Sequence, residues 1–414
     1  MAEGSRAYAG AVASVPEHLE HLRIEQVVAG GDGLARDPSG RVVFVPGVLP
    51  GERVDVRFVS AKRDFARGEI VRVVEPSPDR VAAPCDARAR GCGGCDWQHV
   101  APASQLALKA DVVREALRRT ARLPEAQVDT GGSVSSWGYR TSMRVAVDRH
   151  GAVALRRPRT NEPVALEHCL VAHPALDELV HSARFVGADE VSLRVSATTG
   201  ERSAWWTRAH PGDEVMVSGL PDDVATGSDA VVHERVAGRE LRVSGESFFQ
   251  SGLEAAELLV RTVADVAGAA LIGAAEVVDA YGGVGLFSTT LVPDTAHVTL
   301  VEGSAAACDD ARHNLRAARS RHEVVRSSVE RWRPDRADLV IADPSRQGLG
   351  PEAARALAAT EAPVLVLVGC DPVAYARDAG LLAACGYRLV HSVAIDLFPQ
   401  SHHVEVVGRF ERDG

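Results

Sequence analysis

Glu276-Val277-Val278-Asp279-Ala280-Tyr281-Gly282-Gly283-Val284-Gly285-Leu286 decides the fold of the larger part of this chain. A short apolar run ends in a cluster of glycines, and a helical stretch opens at Leu286. Glycines at a strand-to-helix turn let the backbone approach a ligand closely. The next apolar run, His297-Val298-Thr299-Leu300-Val301, ends in Glu302, an acid placed to accept hydrogen bonds from ribose hydroxyls. A third, Leu339-Val340-Ile341-Ala342, runs into Asp343-Pro344-Ser345-Arg346. Ligands of open α/β sheets sit outside the carboxyl ends of the strands, so Asp279, Glu302 and Asp343 are expected to converge there. Tyr281 is expected to pack against an adenine ring, and Gln250 is a further candidate ligand. An ordinary βαβ turn with an exposed acid is the alternative, as is a capping role for Gln250.

Two more motifs lie downstream, Val368-Gly369-Cys370-Asp371-Pro372 and His402-His403-Val404-Glu405. Cys370 follows an apolar strand and precedes Asp371-Pro372, which can start a helix. A thiol at a helix N-terminus is expected to have a lowered pKa. The alternative is a buried structural cysteine, the reading given to Cys308 and Cys385 in helix-like runs. Glu405 begins another apolar strand. The adjacent histidines lack a third spaced ligand, which argues against a histidine metal site.

Upstream, residues 1–20 read as a mobile tail and 21–78 as a small OB-like barrel. Four β-branched runs are separated by turn clusters such as Gly30-Gly31-Asp32-Gly33. Residues 79–245 read as a central, mainly antiparallel domain, with a basic amphipathic helix from about 104 to 123. From 246 to 414, strands alternate with helical stretches of 10–15 residues, the pattern of a doubly wound sheet. The whole is a multidomain α/β chain.

The net charge is −10, yet residues 81–160 hold 13 Lys/Arg against 7 Asp/Glu. An acidic protein with a locally basic segment can still track phosphates. No run is apolar enough to span a membrane, and the N-terminus lacks a secretory pattern, so a cytoplasmic location is expected. Seven cysteines in such a chain point to metal or catalysis rather than disulfides. Cys85, Cys92, Cys95 and the more distant Cys169 form a set of four thiolates that could hold a 4Fe-4S cluster or tetrahedral zinc. The spacing lacks the paired C-x2-C of most zinc ribbons, which favours iron–sulfur.

Together these motifs resemble the bacterial RNA (uracil-C5)-methyltransferases, in the branch with an N-terminal TRAM domain that acts on 23S ribosomal RNA. The resemblance spans about residues 21–412. It rests on the barrel, the cysteine set, Asp279–Phe287, Ala342–Gly350 and the Cys370 and Glu405 motifs, in that order. It implies a TRAM barrel, a central iron–sulfur domain and a C-terminal Rossmann-like S-adenosylmethionine-dependent methyltransferase domain. It implies Cys370 as nucleophile and Glu405 as base, with Gln250, Tyr281, Glu302 and Asp343 at S-adenosylmethionine. It also implies Cys85, Cys92, Cys95 and Cys169 at the cluster. The implied partner is RNA (23S favoured, transfer RNA second), bound by a monomer through the barrel and Arg114, Arg118, Arg119, Arg140 and Arg144. Departures fall at Gly282, Ser345, Gly369 and Asp371, and Ser327-Ser328 stand where relatives often place an adenine contact. An iron–sulfur methylthiotransferase would instead show C-x3-C-x2-C, and a non-catalytic RNA-binding relative would not need Cys370 and Glu405.

Overall fold

Along Arg53–Ala61 the buried side chains Val54 and Val56 alternate with more exposed Arg53, Asp55 and Arg57, so only one face of the strand is apolar. Five such strands, His18–Val27, Asp32–Arg36, Val42–Pro46, Arg53–Ala61 and Phe65–Glu75, close into a barrel. Its core holds Leu22, Ile24, Val43, Val45, Val54 and Val56. The structure, a computed structural model, describes residues 17–210, 212 and 214–413. The tail expected over residues 1–20 lies outside the described residues up to 16, and His18–Glu20 already belong to the first strand. The turn expected at Gly30–Gly33 is tighter, because Asp32–Arg36 is itself a strand. A Cβ on Gly33 would meet the Val48 side chain at 2.2 Å, so this glycine serves close packing within the barrel wall.

The barrel lies within the first of two compact units, Met1–Arg80, and everything else forms the second, Val81–Gly414. Its main sheet has eight strands, labelled β1 (Val128–Ser133), β2 (Glu276–Ala280), β3 (His297–Glu302), β4 (Arg321–Arg326), β5 (Leu339–Ala342), β6 (Val364–Gly369), β7 (Tyr387–Asp396) and β8 (Glu405–Arg412). Their order is β4-β3-β2-β5-β6-β8-β7-β1. The strands from β4 to β6 are parallel, while β8 runs antiparallel to both β6 and β7. Strand β1, from the expected central domain, pairs with β7 and so belongs to this sheet. Helix α1 (Pro102–Ala116) is held to β7 by the buried ion pair of Lys109 with Asp396, 2.6 Å apart.

The rest of the central region forms a six-stranded, mostly antiparallel sheet built around Ser142–Val147 and Ala188–Val195. Helices α2 (Leu253–Ala267), α3 (Leu286–Thr290), α4 (Ala305–Leu315), α5 (Gly350–Ala358) and α6 (Pro372–Ala384) accompany the main sheet. Among them α3 has only five residues, and the connection 327–338 has no helix, so the expected regular alternation is interrupted. Strand β2 has β3 on one side and β5 on the other, and the connections diverge at that point. The carboxyl ends of these strands therefore border the crevice where such sheets bind ligands. Among the described residues no helix is long and apolar enough to cross a membrane.

Candidate active site

The glycine turn after β2 is built around Glu302. The Gly283 amide donates to Glu302 Oε2 at 3.1 Å, and the Ser304 amide donates to Oε1 at 2.7 Å. The acid at the end of β3 thus ties the two strand ends together, leaving its remaining lone pairs for a ligand. Tyr281 takes up φ +61 and Gly283 φ +53, left-handed values that cost a side-chain-bearing residue such as Tyr281. The Tyr281 hydroxyl is buried and has no hydrogen-bond partner among the described residues. Asp279 is fully buried, its Oδ2 accepting from the Ser288 amide and hydroxyl while Oδ1 stays without a partner. Burial pushes its carboxyl up to about 6. Gln250 is buried just before α2. Ser327 donates its amide to the Glu302 carbonyl at 3.0 Å, which fixes the segment after β4 beside the same turn.

Cys370 and Glu405 come together through the sheet register. In the β6/β8 pair Gly369 stands opposite Val406, so the next pair in the same register is Cys370 with Glu405. Directly opposed residues of an antiparallel pair have Cβ atoms about 5 Å apart. Asp343 follows β5, the other neighbour of β6. Two carboxyls and a thiol therefore share one strand edge. Burial and the nearby Glu405 and Asp343 push the Cys370 thiol up to about 12. Burial and Asp343 hold Glu405 well above the usual carboxylate range, with the Arg346 guanidinium opposing. Asp343 is raised to about 7 by burial and by Asp279. A small cavity bordered by Arg346, Gly369 and Cys370 opens at this edge.

The lowered thiol pKa expected at Cys370 is overturned: burial is the main cause of the rise, Glu405 and Asp343 add to it, and the helix N-terminus is taken by another residue. Asp371, not Cys370, caps α6, accepting from the Val373 and Ala374 amides at 2.9 and 2.8 Å. A carboxylate thus takes the positive end of the helix that a thiolate would have used. The reading of Cys308 as a core residue agrees with its full burial.

The histidines of the last motif have different surroundings from each other. His402 Nδ1 and amide N both bond Asp96, at 2.6 and 3.0 Å. His403 lies against the His402 ring, and burial, His402 and the guanidiniums of Arg346 and Arg140 drive its pKa down to about 3. Arg140 also lies over the Phe398 ring and has a buried, unpartnered Nε. Asp96 had no motif to flag it. The other expected RNA contacts are partly occupied: Arg114 pairs with Asp111, Arg118 and Arg119 with Glu115, and Arg144 with Ser192.

Cys85, Cys92, Cys95 and Cys169 all border one small pocket. No group of three His, Cys, Asp or Glu that could hold a metal ion is found among the described residues. Burial raises the thiols of Cys92, Cys95 and Cys169, which opposes thiolate formation until a cation is present.

Residues 22–71 match the TRAM domain family. An uncharacterised RNA methyltransferase of Streptomyces avermitilis is 35% identical, over 94% of this chain and 97% of that protein. One of Streptomyces coelicolor is also 35% identical, over 97% and 94%. Among solved structures, the Pyrococcus abyssi tRNA (uracil-54, C5)-methyltransferase in complex with S-adenosyl-L-homocysteine covers 94% of this chain and 99% of its own. It has a TM-score of 0.69 at 22% identity, a likeness of fold.

Proposed function

The chain belongs to the RNA methyltransferase family of these relatives, and from that premise we propose that it methylates uridine at C5. The observation that carries this reading is the register that sets Cys370 opposite Glu405, with Asp343 on the neighbouring strand end. Uracil C5 is a poor nucleophile until a thiolate adds to C6. Cys370 Sγ forms that bond. C5 then takes the methyl group that S-adenosylmethionine supplies when bound. Glu405 removes the C5 proton, the C5–C6 double bond returns and the thiolate leaves. Because burial and the carboxyls raise the Cys370 thiol in the free site, its proton has to pass to solvent as substrate binds, and Glu405, also raised, has to be ionised when it takes the C5 proton. Arg346, the cation that opposes these shifts, supplies stabilisation for the negative charge.

Gln250, Tyr281, Glu302 and Asp343 would hold the methyl donor. The residues fit a polar ligand, since the buried Asp279 Oδ1 lacks a partner among the described residues. Cys85, Cys92, Cys95 and Cys169 would hold a four-iron cluster, whose role is to tie the basic segment to the unit. Four thiols on one pocket are the donor chemistry of such a cluster, and the cysteine spacing lacks the paired C-x2-C of most zinc ribbons. Anaerobically purified protein is expected to contain about four irons and four sulfides per chain; stoichiometric zinc without iron would overturn the assignment.

The proposed target is 23S ribosomal RNA, reached by a cytoplasmic monomer through the TRAM barrel and the basic segment. Transfer RNA is the second reading, favoured by what the Pyrococcus protein of the same fold acts on. A paired uracil is enclosed in its stack, so the target base has to lie unstacked or in a loop. The test is a 5-fluorouridine RNA. Fluorine at C5 cannot leave as a proton does, so wild type should form a denaturant-resistant protein–RNA adduct and Cys370→Ala none. Absence of the wild-type adduct, or methylation by Cys370→Ala, would sink the proposal.

A further inference from the structure

The strand that begins at Glu405 is preceded by a short turn, 397–404, and this turn is fastened to the cysteine-bearing segment rather than to its sequence neighbours alone. The Asp96 carboxylate takes both the His402 amide and the His402 ring Nδ1, at 3.0 and 2.6 Å. One residue on, the Trp97 amide donates to the Gln400 carbonyl at 2.9 Å. Gln105 on α1 closes the grip, its Oε1 accepting from the Gln400 amide at 2.7 Å and its Nε2 reaching Gln400 Oε1 at 3.2 Å. Gln400 is held at φ +70, a left-handed value that a non-glycine residue keeps only when its surroundings enforce it. Between the His402 anchor and the first residue of β8 lie only His403 and the fully buried Val404. Cys95, which borders the thiol pocket, is covalently next to Asp96.

We propose that Asp96, acting through His402, is a positioning residue for Glu405, so that the cysteine-bearing segment governs proton removal from C5. This rests on the uracil-C5 reading above. A positioning residue for the base has a distinct signature, because adduct formation precedes proton removal. If Glu405 is misaimed, Cys370 still adds to C6 and C5 still takes the methyl group, but the C5 proton stays and the Cys370–C6 bond is not broken. The methylated adduct then accumulates on ordinary uridine, as it should in a Glu405→Gln comparator.

The experiment uses the full chain with 23S rRNA transcribed in vitro, carrying either uridine or 5-fluorouridine. Asp96→Asn keeps the size and one oxygen acceptor while removing the charge. It is expected to lower kcat about tenfold to a hundredfold, the cost of a misplacement of the order of 1 Å, while kcat/KM stays within about twofold, because the slowed step follows methyl transfer and KM falls together with kcat. A denaturant-resistant adduct should appear on unmodified uridine RNA, and the rate of 5-fluorouridine adduct formation should stay within about twofold of wild type. His402→Gln attacks the same link from its other end and should give the same pattern, which keeps the test decisive if one variant folds poorly. Unchanged kcat in both variants overturns the inference. So does a 5-fluorouridine rate that falls in parallel with kcat, since that marks a general structural role. Failure of the uracil-C5 reading is separately visible, as wild type would then form no 5-fluorouridine adduct at all.

Discussion

Glu52 in the barrel and Glu405 at the sheet edge are both buried carboxyls, and the molecule treats them in opposite ways. Glu52 is fully buried and accepts from the Leu49 amide at 2.8 Å, the Ser77 amide at 3.1 Å, and Arg80 Nε and Nη2 at 2.5 and 2.7 Å. Burial alone would raise its pKa, but Arg80 and the two amides outweigh it and hold the carboxyl low. The Glu405 carboxyl has no hydrogen bond or ion pair among the described residues; burial and Asp343 raise it, with Arg346 opposing. A buried charge that is fully paired serves the fold, whereas one left unpaired beside a second acid is costly unless something else uses it. The contrast separates a carboxyl tied into the fold from the one that the proposed function uses as a base, without reference to either motif.

The larger way to break this contrast is to remove the charge that is paired. Glu52→Gln leaves Arg80 without its carboxylate partner, though still bonded to the Gly47 carbonyl, and strips two strong charge-assisted bonds from a barrel whose core is small. A loss of about 2–3 kcal/mol is expected, read as a shift in urea unfolding of the full chain followed by a barrel-specific probe. Because the folded pKa of Glu52 lies below its ordinary 4.5, its stabilisation is present above that value and disappears as pH falls through the folded one. The gap between wild type and Glu52→Gln should therefore narrow on acidification below about 4.5. An unchanged gap would mean that the pair contributes nothing through ionisation.

The same contrast explains which parts of the molecule were legible in the sequence. The glycine turn, Glu302, Asp343, Cys370 and Glu405 all sit at ends of short apolar runs, and in a doubly wound sheet such ends gather at one edge. Residues tied to strand ends can thus be read locally. Strand β1 could not, because Val128-Asp129-Thr130-Gly131-Gly132-Ser133 has the composition of a turn. It is a strand because a Cβ on Gly131 would meet the Val393 and Ile395 side chains within 3 Å, a contact that only the partner strand defines. Asp96 with His402 spans 306 positions and Gln105 with Gln400 spans 295, distances across which no spacing rule operates. The protonation of Cys370 departs from the expectation because burial, which no local motif shows, raises the thiol. Helix α6 does begin there, but Asp371 takes the cap one residue later, and the thiol instead faces two carboxyls.

A smaller effect sharpens the contrast from its other side. Asp343, raised from 3.8 to about 7 by burial and Asp279, holds a proton in the folded protein that the unfolded chain has already released. Folding therefore takes up a proton between those two values, and stability falls as pH rises through that window. Above it, the native site carries an ionised carboxyl that its surroundings disfavour. Asp343→Asn abolishes this penalty while keeping the side chain's size, so it should stabilise the protein even where, on the proposed function, it lowers methylation. Near pH 4 the two proteins should unfold at nearly the same temperature; at pH 8 the variant should be ahead by on the order of 2 kcal/mol. Thermal unfolding at both pH values checks the sign. A variant less stable than wild type at pH 8 would mean that the Asp343 carboxylate is paired in the native protein after all, and the edge of the sheet would then resemble the barrel rather than oppose it.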